Sequence, residues 1–410
     1  MADPIKRPVV GTIGPIYASH NPDARDPEPV IRDEEYFLVR VHSAQASYKG
    51  TWWTRLRSRV RHVVVTSQVT LKRNQPAEAF QHIQVVRPIR PREAVQLGLR
   101  PNLIDLVPAV VERVSVKFGL VLDQEDRLEK LTAGINGSGF LSTLSLAEPT
   151  LAAARAVAGV SKVVLDAFLP GEAQKGILEF SGDFNIGTGI KDLRPGYYVF
   201  LGTTDKGTPL PHEPKVEVEG ASLLVDDKPV TDWSYFVLEV LTTRERGTNP
   251  DAEWSKLINK AEAEATNFAN SPVTTKQKQE ASQQRCQELL VRAQGLFETD
   301  PTYTKTERKA IIANAFKTCK DTIAGTGGRR SSAPEITKPW VETTLAALGV
   351  GEDDLAAVDD YKKRVETAKQ LKTLIEQKDQ QAQELWEMAE AQSRLPLRDE
   401  PEADADADPD

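Results

Sequence analysis

Apolar residues follow two different periods along the chain, and the change falls near residue 245. Before it the period is two. Val110–Leu122 sets Val114, Val116, Phe118, Leu120 and Leu122 against smaller or charged neighbours, the pattern of a strand with one buried face. Glu35–His42, Val63–Leu71, Ile83–Val86 and Trp233–Thr242 are short runs rich in β-branched and aromatic residues, and each predicts a strand. Ser43–Gly50 predicts a polar turn after the first of them. Lys215–Glu219 predicts a strand with one wet face, and Ser222–Val230 a hairpin-like unit.

One stretch in this region breaks the period. Leu151–Leu169 is mostly apolar, opens behind Pro149 and closes at Pro170-Gly171. Only Arg155, Lys162 and Asp166 carry charge, and they fall on one stripe. The pattern predicts a central helix over 149–169, buried on most of its circumference. Gly176–Ser181 and Gly196–Thr203 should follow it as a β-hairpin.

After Arg244-Glu245-Arg246-Gly247-Thr248-Asn249-Pro250 the period becomes helical. Asn249 reads as an N-cap with Pro250 at the first helical position, and that helix should run to about Asn270. A second covers Thr275–Phe297. A third opens on Thr304-Lys305-Thr306-Glu307, the signature of a capping box. Gly325–Pro334 has linker composition, and Pro339–Leu348 is a short helix. The last pattern, Glu352–Leu395, predicts a helix about 65 Å long at about 1.5 Å per residue. Tyr361, Ala368, Ile375, Ala382 and Ala389 recur by sevens, Leu371, Leu385 and Trp386 thicken the seam, and Lys372 and Lys378 interrupt it. Such a seam suits an arm packed on its own bundle or on a neighbouring subunit better than a strict dimeric coiled coil. Tyr361, Ile375, Leu385 and Trp386 are its candidate interface residues.

These patterns predict an α+β multidomain chain. An extended arm (1–34) precedes a mainly β, sandwich-like region with one buried helix (35–245). An all-α region follows, made of a helical domain (250–324), a linker (325–334), and a short plus a long terminal helix (335–395). The tail Arg398–Asp410 carries seven acids and should stay disordered.

Charge sharpens the picture. Residues 1–100 hold 16 Lys/Arg and 9 Asp/Glu, a net of +7; the whole chain is −8, so the remainder carries −15. Opposed surfaces of this kind are solvated faces, or the two halves of a head-to-tail contact between copies or with a partner. With 40% hydrophobic and 27% charged residues the composition is that of an ordinary globular protein. Cys286 and Cys319 are the two cysteines, both in helical patterns, and read as reduced, half-buried thiols. No apolar core follows Met1–Arg7, and no run of about 18 apolar residues occurs, so no membrane span and a cytoplasmic location are expected.

The search for chemistry is mostly negative. His20, His42, His62, His82 and His212 are scattered, with no pair at metal-ligand spacing. No G-x-S-x-G elbow occurs, Gly187-Thr188-Gly189 does not continue as a dinucleotide loop, and Asp183–Arg194 lacks the Gly and Glu of a calcium loop. No catalytic residue, metal or cofactor is assigned. One positive constellation stands out: Trp52-Trp53 followed by Arg55, Arg57, Arg59 and Arg61, alternating so that a strand would line one face with guanidinium groups. Stacking rings beside alternating cations suit single-stranded nucleic acid; an edge strand with a wet, basic face is the plainer reading. The expected function is a non-enzymatic structural or adaptor protein, assembling with itself or with other subunits. A nucleic-acid-binding module using the Trp/Arg face is the alternative. A hydrolase with dispersed catalytic groups, using His62 or His212, is the third.

Overall fold

The computed structural model describes residues 11–20, 27–48, 61–72, 78–89, 93–96, 102–123, 177–187, 189, 191–203, 210–220, 222–271, 275–325, 338–370, 373 and 377. Antiparallel sheets occupy its N-terminal part and helices its C-terminal part, so the α+β expectation holds at that level. The segment Trp52–Val60, the expected helix 149–169, the linker 326–334 and the acidic tail lie outside the described residues.

The strands are β1 (Gly11–Ala18), β2 (Tyr36–Tyr48), β3 (Arg61–Lys72), β4 (Glu78–Ile89), β5 (Glu93–Gln96), β6 (Asn102–Pro108), β7 (Arg113–Asp123), β8 (Ile177–Asn185), β9 (Gly196–Thr203), β10 (Val216–Glu219), β11 (Ser222–Val225), β12 (Lys228–Pro229) and β13 (Ser234–Thr243). One sheet runs β1-β9-β13-β2-β5, with β6 also paired to β2. A second runs β4-β3-β7-β8, and a small third runs β10-β11-β12. Gly11–Ala18, within the stretch expected to be an arm, pairs antiparallel with β9 of its own sheet.

The first two sheets share one apolar core. Phe118 of β7 stacks on Phe236 of β13 at 4.9 Å, and Phe180 of β8 meets Phe236 edge-on at 5.3 Å. Here the hairpin expected from Gly176–Ser181 and Gly196–Thr203 is overturned. β8 pairs with β7 and β9 pairs with β13, so the two runs lie in different sheets. Both are apolar enough to be core strands, and proximity in sequence does not say whether such strands pair side by side or face each other. Phe180 and Phe200 do meet, across the core, with ring centroids 6.3 Å apart.

The polar turn expected at Ser43–Gly50 is also corrected, because β2 continues to Tyr48. A bulge explains both the strand and the misreading. Val237 of β13 faces Ser43 while Leu238 faces Val41, which leaves His42 as the extra residue. Val39 and Val41 enter the core before it, Ala44 and Ala46 after it, so the alternation changes phase. On the other face, Gln45 Nε2 donates to the carbonyls of Val230 (3.0 Å) and Trp233 (3.2 Å), and the Ser47 N–H donates to Ser234 Oγ (3.0 Å). These polar residues are buried and paired.

Gly196 opens β9 at φ +146, and a Cβ there would lie 2.7 Å from the Tyr17 ring and 2.9 Å from the Ala18 carbonyl. Gly196→Ala is therefore expected to destabilise the fold by about 2–4 kcal/mol, through strain and forced displacement of β1. Urea unfolding of the full-length protein checks this, and an unchanged midpoint would contradict the close approach.

The helices are α1 (Glu253–Ala269), α2 (Lys276–Glu298), α3 (Lys305–Ile323), α4 (Lys338–Leu348) and α5 (Glu352–Ala356), with residues 358–370 helical beyond a turn at 357. Asn249 is not the first cap. Its Oδ1 accepts the Asp251 N–H (3.0 Å) in a local turn, and α1 begins later, with Ala252 at the N-cap. Thr275 caps α2 through the Lys278 N–H. Trp254 stacks on Phe297 at 4.0 Å, and Leu290, Ile312 and Phe316 complete a second core. No helix among the described residues is long and apolar enough to cross a membrane.

Candidate functional site

Side chains alternate along a strand, so β2 and β13 each present a second face away from the main core. In most sheets of this kind that face is wet. Here it is buried along its length. The third sheet covers one part through Val216, Leu223, Val225 and Val230, packed on Tyr235, Val237 and Leu201. The helices meet the Tyr36 end. Two polar clusters lie on this face.

The first is centred on Glu239. The ladder register puts it directly opposite Arg40 on β2 and Tyr197 on β9. Arg40 donates from both Nε (2.6 Å) and Nη2 to Glu239 Oε2, and each side chain is only 4% exposed. His20, just past β1, places Nε2 3.1 Å from Glu239 Oε1. The bulged His42 places Nδ1 3.4 Å from Glu239 Oε2, while its Nε2 donates to the Gly220 carbonyl (2.5 Å) in the turn between β10 and β11. Both rings pack on Tyr197, at 4.7 and 4.9 Å. Burial works to raise the Glu239 carboxyl, but hydrogen bonds from His20 and His42 and the Arg40 charge overcome it and hold it well below the usual carboxylate range. Burial and the Glu239 charge push the Tyr197 phenol up, against Arg40.

Two His and one Glu form a donor set used for divalent metals. Arg40 already holds the shared carboxylate, however, and no three His, Cys, Asp or Glu among the described residues are grouped to take an ion. The two rings engage a carboxylate, a carbonyl and an aromatic ring. That fixes their orientation and provides no attacking group. What the cluster does mechanically is plain. It ties β1, β2, β9, β13 and the third sheet to one buried carboxylate.

The second cluster is the junction of sheet and helices, built on the expected capping box. Thr304 Oγ accepts the Glu307 N–H (3.1 Å), which is one half of the box. The other half would run from the Thr304 N–H to the Glu307 carboxylate. Instead the Tyr36 hydroxyl of β2 is inserted between them. The Thr304 N–H donates to Tyr36 Oη (2.8 Å), and Tyr36 donates to Glu307 Oε2 (2.5 Å). Glu307 Oε1 takes the N–H groups of Arg246 (2.8 Å) and Gly247 (2.9 Å) from the chain joining β13 to α1. Burial pushes the Glu307 carboxyl up to about 7, against the pull of these three donors and with the help of Glu245. Burial beside Glu307 likewise raises Tyr36, and raises Tyr303 to about 12. Glu245 Oε1 accepts Arg364 Nε (2.5 Å), while Oε2 has no hydrogen-bond partner among the described residues. This bond pins the helical stretch 358–370 to the end of β13.

Tyr36→Phe isolates the inserted hydroxyl. It leaves the buried Thr304 N–H and Glu307 Oε2 unpaired and is expected to cost about 2–3 kcal/mol by urea unfolding. A cost near zero would mean that the hydroxyl joins nothing.

Of the residues singled out from sequence, Trp52, Trp53, Arg55, Arg57 and Arg59 lie outside the described residues. Arg61 opens β3 in register with Ile89. Tyr361 is 4% exposed in the helical core of its own chain, and Ile375, Leu385 and Trp386 lie outside the described residues. His212 is exposed before β10, and His62 lies in β3 in register with Pro88 and Asp123. Neither cluster was anticipated as a site. The signal for the first was present: one Glu inside the apolar run Tyr235–Leu241 requires a buried counterion.

No family model matches the chain, and no curated protein is significantly similar to it in sequence.

Proposed function

We propose that the protein is a non-enzymatic structural or adaptor subunit that holds a two-sheet region and a helical region in fixed relation and assembles with further copies or other subunits. The observation that carries this reading is the junction. Tyr36 from the sheet is built into the N-terminal cap of α3, and Glu307 from the helix caps the connecting backbone. A joint of that kind resists rotation of one part against the other, which is what an assembly subunit requires. The reading includes a sandwich-like β region with helix 149–169 in its core, a terminal helix running to about residue 395, and a cytoplasmic location. Contacts between copies would match the basic first hundred residues to the acidic remainder, with the Trp52–Arg61 face on one side.

Light scattering of the full-length protein at low and high salt tests the proposal. The expected result is an oligomer that dissociates with salt and is weakened by Arg→Glu changes at Arg55, Arg57 and Arg59. A monomer under every condition ends self-assembly. Nucleic acid co-purifying with the wild type and lost from the Arg variants would favour the alternative instead.

A further inference from the structure

The second sheet has two faces, and its register fixes which residues share each. Residues directly opposite across an antiparallel ladder stand on the same face. Val65 of β3, Leu120 of β7 and Leu178 of β8 belong to the core between the two sheets. Their chain neighbours Val64, Val121 and Ile177 therefore take positions on the outer face. Val64 is in register with Val85 of β4 and with Val121, and Val121 with Ile177. One row across the whole 4-stranded sheet is thus β-branched and apolar. Ile83 and Gly119 stand in the next row. Beyond that the outer face turns polar, and Lys117, Ser181 and Asp183 on it are exposed. A face that is wet at one end and apolar across every strand at the other requires a cover at the apolar end.

The chain carries a fitting segment at that place. β7 ends at Asp123, β8 starts at Ile177, and Val121 pairs with Ile177, so residues 124–176 leave and return beside the apolar row. They include the mostly apolar Leu151–Leu169. On a helical period Val157, Val160, Val164 and Phe168 fall opposite the stripe of Arg155, Lys162 and Asp166. The link from Leu169 to Ile177 spans at most about 28 Å at about 3.5 Å per residue, which tethers the end of the apolar stretch near the row. A helix over 149–169 is about 30 Å long, and the sheet is about 14 Å across at about 4.8 Å between strands. Gly119, beside the row in the interior of β7, lets another backbone approach closely. The space between the two sheets is already occupied by ring contacts among Phe118, Phe180, Phe200 and Phe236.

We propose that the outer face of the second sheet is a docking surface for segment 149–169 of the same chain, which crosses the row Val85, Val64, Val121 and Ile177 as a helix. Val157, Val160, Val164 and Phe168 meet the row, and the stripe of Arg155, Lys162 and Asp166 meets solvent. This rests on the helix proposed for 149–169 and assigns the surface that buries it. The β region then has three layers at that end of the second sheet, and the connection between β7 and β8 is part of its packing.

The test places photoreactive benzoylphenylalanine at position 121 of the full-length protein and irradiates it, alone and with vesicles of phosphatidylcholine and phosphatidylserine. The expected product has the mass of one chain and an internal crosslink from position 121 to a peptide within 149–169. Crosslinks only between two chains would show that a second copy covers the face. Crosslinks only to phospholipid would show a lipid-facing surface, and no crosslink an open one; each of these overturns the proposal. Because the probe is bulky, a second measurement uses lysine. Val121→Lys and Val164→Lys should each lower the urea midpoint by about 1 M, and together by less than the sum. Lys117→Glu, on the wet part of the same face, should leave the midpoint unchanged. Equal midpoints for Val121→Lys and Lys117→Glu overturn the docking. Hydrogen exchange separates the docking from the helix it rests on. Protected amides over 149–169 without the internal crosslink overturn the docking alone, and unprotected amides overturn both.

Discussion

Glu307→Ala is expected to destabilise the protein by about 3–5 kcal/mol at about pH 5.5, where the native side chain is largely protonated and its removal takes away hydrogen bonds rather than charge. The substitution leaves the N–H groups of Arg246 and Gly247 and the Tyr36 hydroxyl without their partner, and Glu307 is only 1% exposed. Glu307→Gln separates charge from hydrogen bonding. Its carbonyl still accepts the two backbone donors, and its amide can donate to Tyr36 Oη. The carboxyl is raised from 4.5 to about 7 in the fold, so the folded state binds the proton more tightly than the unfolded state does. That contribution is fully present below the unfolded value and is lost as pH rises through the folded one. Wild-type stability should therefore fall by about 3 kcal/mol relative to Glu307→Gln between about pH 4.5 and 7. Urea unfolding of both proteins across that range measures the difference. Parallel pH profiles would show that the hydrogen bonds, not burial, set the ionisation of this group.

The sequence made some of this legible and hid the rest for identifiable reasons. Runs of β-branched and aromatic residues located β9 and β13, and alternation located β7, whose core residues recur without interruption. It lost β2 at His42, because a bulge reverses the phase and puts Ala44 and Ala46, weak apolar signals, on the buried face. The capping box at Thr304 was visible as a local motif. Its use as a joint was not, because Tyr36 lies 268 residues away and no local pattern marks a hydroxyl that will enter a helix terminus. Burial of both faces of β2 and β13 was half visible. Apart from Glu239, Tyr235–Leu241 is apolar at successive positions, which already states that neither side meets water. Which elements cover the second face depends on long-range topology, and periodicity carries no such information.

The second large effect belongs to the centre of that covered face. Glu239→Ala leaves the Arg40 guanidinium, 4% exposed, beside two histidines with no carboxylate among them. Breaking a buried pair from one side costs about 3–5 kcal/mol, and more of that is the stranded cation than the lost attraction. The control is therefore a double change, Arg40→Met with Glu239→Leu, which removes both charges and keeps the volume. It should recover most of the loss, and the His42 bond to the Gly220 carbonyl should survive it. The pH dependence runs opposite to that of Glu307. Glu239 is held below its ordinary value, so its contribution is present above about pH 4.5 and is lost as pH falls through the folded value. The two acids thus bound a stability maximum from opposite sides, Glu239 on the acid flank and Glu307 on the neutral flank. If Glu239→Ala unfolds at the wild-type midpoint, the Arg40–Glu239 pair does not hold β2 to β13. The same result would mean that the cluster is a surplus polar group tolerated by the sheet. A large loss rescued by the double change would establish it as the tie joining the N-terminal strand, the sheet centre and the third sheet.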